Sequence, residues 1–486
     1  MRTTHRPLTV AALLLGLFMA AMEMTVVSTA MPTAVGDLGG IHLYAWAFAA
    51  YMLTATVTVP IYGKLADLRG RKPVMIAGVA LFLAGSFACG HARNMEQLIA
   101  FRAVQGLGAG AIQPMALTIV GDLFDVHQRA RMQGLFGAVW GVAGLVGPLL
   151  GGAIVRWLSW RWVFYVNVPP GLACAAILWL GYHERVERHE HRLDVLGAAL
   201  LSAAVVLVLV ATRARDLLLW AAPAAALALA LFLAVERRAR EPLLPLELFA
   251  QPVIASASAV GALVGAAMIT TVTFVPLHVQ SVLGGSPTDA GSAIAPMAIG
   301  WPVASALSGR LLPRVGYRVL VRGGLLLSLA AALGLALLLG PGTGLMAPRL
   351  LTALYGVGLG LANTPLVIAV QTSVPWNRRG IATASTMFFR TIGGTLAVGI
   401  LGGVLAASLQ GGATAQQVEQ LLGPERSLLP PALLGALSGA LQRGLGRVFW
   451  ASAGIALAAF LAGLLFPALR VAPRAAPAPA ADPPAA

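Results

Sequence analysis

Four ionisable side chains fall inside long apolar runs, where charge is expensive: Glu23, Arg102, His278 and Arg390. Glu23 is the one acid well inside such a run. An ionised carboxylate in hydrocarbon must be paired, or it takes up a proton. A group so poised can accept a proton from one side of a membrane and release it to the other. It can equally neutralise a cationic cargo. The plain alternative is a structural hydrogen bond to a neighbouring helix. Arg102 is the expected partner. At about 1.5 Å per residue, Glu23 and Arg102 lie about 13 and 10 Å from one end of their helices, so the two can meet. Arg102 then holds Glu23 ionised until a proton or substrate competes, or the pair only fixes helix packing. Arg390 has no obvious acid in its half of the chain. Its counterpart is a backbone carbonyl, a wet cavity or an anionic group of a substrate. His278 is placed to titrate near neutral pH, although a lone histidine there is more often structural.

These residues need helices in lipid to hold them. Of 486 residues, 58% are hydrophobic and 10% charged, against about 25% charged in a soluble domain. The mean hydropathy is +0.82. That composition excludes a soluble enzyme, a disordered chain and a disulfide scaffold. Both cysteines, Cys89 and Cys174, lie in apolar runs and suggest neither a bridge nor a metal site. Segments able to cross a bilayer, each about 20 mostly apolar residues, fall at 8–32, 42–62, 73–91, 95–121, 131–155, 162–182 and 193–212. They continue at 217–235, 252–280, 290–309, 319–340, 346–374, 380–408 and 447–469. The first run is too long for a signal-peptide core and carries Glu23, so it reads as a retained span. The stretch 409–446 has room for an amphipathic helix, and the tail after Arg470 is rich in Ala and Pro.

The net charge of +15 does not call for nucleic acid here, because basic loops orient membrane helices. With fourteen spans and both termini in the cytoplasm, 22 Lys and Arg fall inside and 9 outside, in agreement with that rule. A phosphate loop needs Gly-Lys followed by Ser or Thr, whereas the only lysines, Lys64 and Lys72, precede Leu65 and Pro73. No metalloprotease pattern and no nucleophile elbow is present, so neither an ATP-driven pump in this chain nor an enzyme is indicated. The histidines of 183–191 sit in a charged linker.

An internal repeat organises the spans. Gly63 to Lys72 after the second span echoes Gly309 to Arg318 after the tenth, at an offset of 246. Gly106, Gly108 and Gly110 echo Gly356, Gly358 and Gly360 at an offset of 250. Spans 1–6 and 9–14 therefore read as two parallel repeats with spans 7 and 8 inserted. Transporters built this way hold substrate near the midplane, between halves that rock.

Five motifs carry a family resemblance. The run 63–72 resembles the loop 2–3 signature of the major facilitator superfamily. Arg102-Ala103-Val104-Gln105-Gly106-Leu107-Gly108-Ala109 resembles its fourth-helix signature. Gly137, Gly141, Gly144 and Gly147-Pro148-Leu149-Leu150-Gly151-Gly152 resemble the fifth-helix antiporter signature. Thr25-Val26-Val27 with Ala30-Met31-Pro32 is similar to the first-helix signature of drug exporters. Trp160-Arg161-Trp162-Val163-Phe164 with Asn167 and Pro169 is similar to the fourteen-helix drug:proton antiporter branch of EmrB/QacA type. Glu23 stands where that branch usually has Asp, and Ser28 where it usually has Asn.

The resemblance implies that Arg102 takes part in proton coupling with Glu23. It makes Gly63, Asp67, Gly70 and Arg71 a conformational latch that stabilises the outward-facing state. The two glycines are expected to serve tight turns and close approach. Asp67 is expected to cap a helix or pair with Arg71 or an arginine of the other half. Lys64 and Lys72 are expected to set topology. Gly141, Gly144, Gly147, Gly151 and Gly152 are expected to give one smooth face on which a neighbouring helix slides, with Pro148 bending the helix. Met24, Gln113, Asn363, Gln371 and Arg390 are the candidates for lining a substrate cavity.

The sequence thus predicts an all-α integral membrane protein with the major facilitator fold: two six-helix bundles plus two extra central helices. The boundaries are 1–182 for the first bundle, 183–251 for the linker with two inserted spans, 252–469 for the second bundle and 470–486 for a cytoplasmic tail. The expected function is proton-coupled export of hydrophobic or amphipathic compounds across a bacterial cytoplasmic membrane. The alternative is a dedicated exporter of a metabolite or antibiotic made by the host. The expected partners are a small-molecule substrate, protons and lipid, with no cofactor, metal or nucleic acid. The transport unit is expected to be monomeric, with a periplasmic adaptor left open.

Overall fold

The computed structural model describes residues 4–124, 126–184, 194–211, 215–239, 242–340, 342–375, 378–409, 415–423, 426 and 428–469. The charged linker at 185–193 and the tail 470–486 lie outside the described residues.

Long apolar runs with few breakers give helices, and every regular element described is helical. In chain order they are α1 (Arg6–Leu38), α2 (Tyr44–Arg69), α3 (Arg71–Gly90), α4 (Met95–Leu123), α5 (Val126–Trp157), α6 (Trp162–Tyr165) and α7 (Val168–Gly181). Then come α8 (Val195–Ala211), α9 (Arg215–Glu236), α10 (Pro252–Ser281), α11 (Pro287–Leu338), α12 (Met346–Thr372), α13 (Arg379–Leu409), α14 (Ala415–Leu422) and α15 (Pro431–Leu464). Among the described residues, eleven helices are long and apolar enough to cross a membrane. The outer surface is apolar too: Trp179 is 65% and Leu219 79% exposed, which in water would be an aggregation surface and in lipid is a solvated one.

Several boundaries differ from the sequence reading. The runs expected at 290–309 and 319–340 form the single α11, 52 residues long. Its path breaks only at Gly316, where φ is 78° and ψ 169°. The run expected at 162–182 is interrupted between α6 and α7. The last span starts at Pro431 rather than 447 and leaves α14 as the short helix of the preceding loop.

Packing repeats along the chain. In the first half α1 packs on α5 and α7, and α4 on α2 and α3. In the second half α10 packs on α13 and α15, and α12 on both arms of α11. The repeated glycines explain how one helix touches two neighbours so closely. Gly106 and Gly110 lie against Tyr51, Thr54, Ala55 and Thr58 of α2, whereas Gly108 lies against Gly78 and Phe82 of α3. Gly356 and Gly360 meet the first arm of α11 at Met297 and Trp301, and Gly358 meets the second arm at Gly324 and Ser328. Alternate glycines thus serve opposite neighbours in each half.

The two halves touch along α5 with α11 and along α2 with α13. Gly152 packs on Thr288, Pro148 on Gly291, Gly144 on Ala298 and Gly141 on Pro302. Beyond Gly141 the contact ends, and nothing lies within 4 Å of a Cβ at Gly137 or Gly309. The bundle is therefore closed at the end carrying Asp37 and open at the end carrying Arg71. This corrects the single sliding face expected of α5. Gly147 and Gly151 face Thr25, Val26 and Thr29 of α1 instead, so the glycines form two faces, one for each half. α5 continues as helix through Pro148.

The turn glycines separate as well. Gly70 (φ 95°, ψ 154°) and Gly316, at the offset of the repeat, occupy a region of the backbone map open only to glycine. Gly63 is no turn residue: it lies inside α2, with nothing within 4 Å of a Cβ, so neither a tight turn nor close approach explains it. Gly70→Ala should lose about 1–3 kcal/mol, read as a lowered melting temperature in detergent, whereas Gly63→Ala should leave the melt unchanged.

Candidate functional site

Asn94 caps α4, its Oδ1 accepting from the Gln97 amide at 2.8 Å, and this sets the register of the helix. Arg102 and Gln105, three residues apart, then share one face. α1 brings Glu23 against that face, and the two charges meet in a direct ion pair. Each residue is only 1% exposed. A buried pair is stable only if the remaining polar atoms are also satisfied, and here they are. Asn167 Nδ2 donates to the second carboxylate oxygen of Glu23 at 2.6 Å. Arg102 donates from Nε to the Ala47 carbonyl at 3.1 Å and from Nη1 to Gln105 Oε1 at 2.8 Å. Its guanidinium stacks over Tyr51, 4.2 Å from the ring centre. Ser86 Oγ accepts from Gln105 and Asn167, both at 3.1 Å, and donates to the Phe164 carbonyl at 2.8 Å.

Asn167 reaches Glu23 because the chain breaks between α6 and α7. The segment before the break is anchored at the closed end. Trp160 Nε1 and Arg161 Nη1 both donate to Asp37 Oδ2, at 2.9 and 2.7 Å. Arg161 also reaches the Ala92 carbonyl at 3.3 Å. The Trp-Arg motif thus staples α1 to the α3–α4 turn, and the residues after it complete the cage around Glu23.

Arg102 faces a small cavity of about 20 Å³ between the halves. Met24, Tyr51 and Met52 line it from the first half, Ile269 and Val272 from the second. Of the other cavity candidates, Gln113 is exposed and lies three helical turns along α4 from Arg102, on nearly the same face. Asn363 meets Arg390, accepting from Nη1 at 3.3 Å, and Trp301 lies with its ring centre 5.8 Å from the guanidinium. Gln371 is half-buried eight residues further along α12 and is not part of that cluster. His278 is buried, edge-on to Phe449, and neither ring nitrogen has a partner among the described residues.

The described contacts of Arg71 join the start of α3 to Glu184 and Asp122. The Arg71 and Lys72 amides at the start of α3 donate to Glu184, at 2.7 and 3.0 Å, where a carboxylate also suits the helix dipole. The Arg71 guanidinium lies 3.3 Å from Asp122 and 3.6 Å from Glu184. Arg71 thus meets two acids that the sequence reading passed over. The side chain of Asp67 lies outside the description. Lys72 does more than set topology: its Nζ donates to the Trp179 and Tyr182 carbonyls at the end of α7. Asn167, Gln105, Ser86, Asp122, Glu184, Glu419 and Arg426 carry contacts that spacing did not reveal. Only Gln105, one turn from Arg102, left a periodic signal.

A helical bundle with repeated halves, a cavity between them and a satisfied ion pair on its wall is a membrane transporter. A family model described as Major Facilitator Superfamily matches residues 13–398, and the chain belongs to that superfamily. Among its relatives, the "Multidrug transporter protein MdtP" of Bacillus subtilis (strain 168) is 36% identical over 408 residues, 82% of this chain and 75% of the relative. "Multidrug resistance protein 3" of the same organism is 36% identical over 401 residues, 80% of this chain and 78% of the relative. In fold, the chain is similar to a bacterial homologue of the human lysosomal transporter Spinster in an inward-facing, unoccupied conformation. That similarity has a TM-score of 0.70 at 18% identity, over 96% of this chain and 98% of the other. The protein is a multi-pass membrane transporter of small molecules and not an enzyme.

Removing one partner of a buried ion pair typically costs about 3–5 kcal/mol, because the other charge is stranded. Arg102→Gln should therefore lower the melting temperature strongly. Glu23→Gln/Arg102→Gln, which strands no charge, should melt higher than Arg102→Gln alone. A double variant that melts no higher would show that Glu23 is already neutral in the resting protein.

Proposed function

We propose that the protein is a proton-coupled antiporter of the fourteen-helix, EmrB/QacA-type branch, exporting hydrophobic or amphipathic compounds across a bacterial cytoplasmic membrane. One observation carries the reading: the only carboxylate deep in a span is paired with a guanidinium that faces the cavity between the halves. The names of the two Bacillus relatives support drug efflux as the task. Fourteen spans follow if α11 is counted as two at Gly316 and if α2 and the 17-residue α8 are added to the eleven. Residues 1–182 and 252–469 then form the two bundles, with α8 and α9 inserted and one chain as the transport unit.

The bias of 22 inner against 9 outer basic residues supports an orientation with both termini in the cytoplasm. The closed end is then external and the described state faces inward. In the cycle, a proton reaching Glu23 from outside removes the charge that holds Arg102. The freed guanidinium and the neutral acid let the cage re-pack, the halves rock, and release of the proton inside restores the pair. Inward movement of one proton through about 100 mV supplies about 2.3 kcal/mol.

The external seal includes the loop helix. Glu419 Oε1 accepts from the Gly40 amide at 3.2 Å. Arg426 donates to the Gln280 carbonyl at 2.6 Å, at the end of α10. Gln280 in turn donates to the Thr29 carbonyl at 2.9 Å and accepts from Thr33 at 3.1 Å. α14 and the turn after it thus strap α1 to α10.

In proteoliposomes with an imposed pH gradient, wild type should move members of a panel of cationic, neutral and anionic amphiphilic dyes, and Glu23→Gln should abolish the gradient-driven part. Gradient-driven transport that survives in Glu23→Gln would move the proton site elsewhere. A wild type that moves no dye of the panel would sink the exporter reading. For the strap, Glu419→Gln/Arg426→Gln should increase labelling of Thr33→Cys by a membrane-impermeant maleimide severalfold. The native Cys89 and Cys174 are buried and give little background.

A further inference from the structure

We propose that Arg390, with Asn363 and Trp301, binds the anionic group of the cargo, so that the protein's substrates are amphipathic aromatic anions such as carboxylates and sulfonates. This rests on the exporter reading and names its substrate class.

The argument starts from unmatched charge. Arg390 sits mid-helix in α13, half-buried, at a depth where an unpaired cation is costly. From residue 252 to residue 409 the sequence holds one acid, Asp289. That carboxylate is spent on the start of α11, accepting from the Ser286 amide at 2.9 Å and the Ser286 hydroxyl at 2.7 Å. Among the described residues the only hydrogen bond of the Arg390 guanidinium is the one from Nη1 to Asn363. Nε and Nη2 form an open fork, the arrangement that grips a carboxylate or sulfonate through two parallel bonds.

A Cβ at Gly265 of α10 would meet the Arg390 carbonyl group first and Cγ as well, so glycine there lets α10 approach the α13 backbone closely at Arg390. Trp301 offers an aromatic face beside the charge, and Asn363 fixes the guanidinium from the other side. All three side chains are half-buried. The position is also right. Gly394, one turn along α13 from Arg390, packs on Met52 and Ile269, which line the cavity next to Arg102. The anion site therefore lies about one helical turn from the proton site's cavity.

The two sites divide the charges. Glu23 has both oxygens occupied, by Arg102 and Asn167, and offers nothing to a cationic cargo. The half-buried charge near that cavity, Arg390, is positive. Exchange of one external proton for one internal monoanion moves two positive charge equivalents inward, so the membrane potential drives both legs.

The test compares two probes that share a ring and differ in charge, 2-naphthoate and 2-naphthamide. Their binding to the full chain in lipid nanodiscs is measured by calorimetry. Wild type should bind naphthoate at least about tenfold more tightly than naphthamide, the scale of a charge-assisted pair. Arg390→Gln should erase that preference with naphthamide affinity unchanged, which also shows that the variant is folded. Arg390→Lys should retain part of it. Absence of naphthoate binding, absence of a preference in wild type, or a preference that survives Arg390→Gln overturns the proposal. The pH-gradient assay separates the two readings. Dye transport without a naphthoate preference removes the anion site and leaves the exporter. The preference without transport of any compound removes the exporter and leaves the anion site.

Discussion

Charge in a water-free interior must be answered by other charge or by hydrogen bonds, and one carboxylate sets that constraint for the first half of this molecule. Glu23 on α1 binds Arg102 on α4, which binds Ala47 on α2; Asn167, at the α6–α7 break, binds Glu23 and also Ser86 on α3. Five segments therefore share one polar network. Its geometry depends on whether Glu23 carries charge, because every donor in it is arranged around an acceptor. A proton at this place is felt by all of them, and no mobile loop is needed to spread the effect.

The repeat copies the scaffold but not the chemistry. Gly106, Gly108 and Gly110 have the same neighbours in their half as Gly356, Gly358 and Gly360 have in theirs, and Gly70 and Gly316 break helices alike. At the offset of 250, Arg102 corresponds to Thr352, which hydrogen-bonds to the carbonyls of Ala293 and Arg349 and carries no charge. Gln113 corresponds to Asn363, which meets Arg390. Duplicated packing keeps the halves able to rock as equals. Divergent polar residues place the buried ion pair in one half and the Arg390–Asn363 contact in the other.

The helices were legible because lipid demands long apolar runs, and Glu23 with Arg102 stood out as charges inside such runs. The glycine repeat was legible because close approach of two backbones tolerates no other residue. What stayed hidden depends on which neighbour each residue meets. Asn167 is one amide in a motif until the α6–α7 break turns it toward Glu23. Glu184 and Asp122 look like solvated loop acids until the fold sets them beside Arg71. The glycines of α5 have helical spacing that fits one face, yet Gly147 and Gly144 point to different halves, since a helix between two neighbours needs small residues on both sides. The stretch 310–318 reads as a connection between two spans because spacing alone does not distinguish a kink from a loop.

The closed end rests on close but lightly interlocked contacts. Where glycines stand in the seam between α5 and α11 they meet proline, alanine and threonine, small residues that approach closely but interlock little. Among the described residues, the hydrogen bonds across the seal include Tyr44 to the Thr273 carbonyl at 2.7 Å, Gln280 with Thr29 and Thr33, and Glu419 with Gly40. At a net value of about 0.5–1.5 kcal/mol each, these bonds hold the end shut by only a few kcal/mol. One proton crossing about 100 mV supplies about 2.3 kcal/mol. A seam of large interlocked side chains would exceed that several times over and fix the molecule in one state. The small residues at this interface therefore keep it free of the interlocking that would hold the halves in one state.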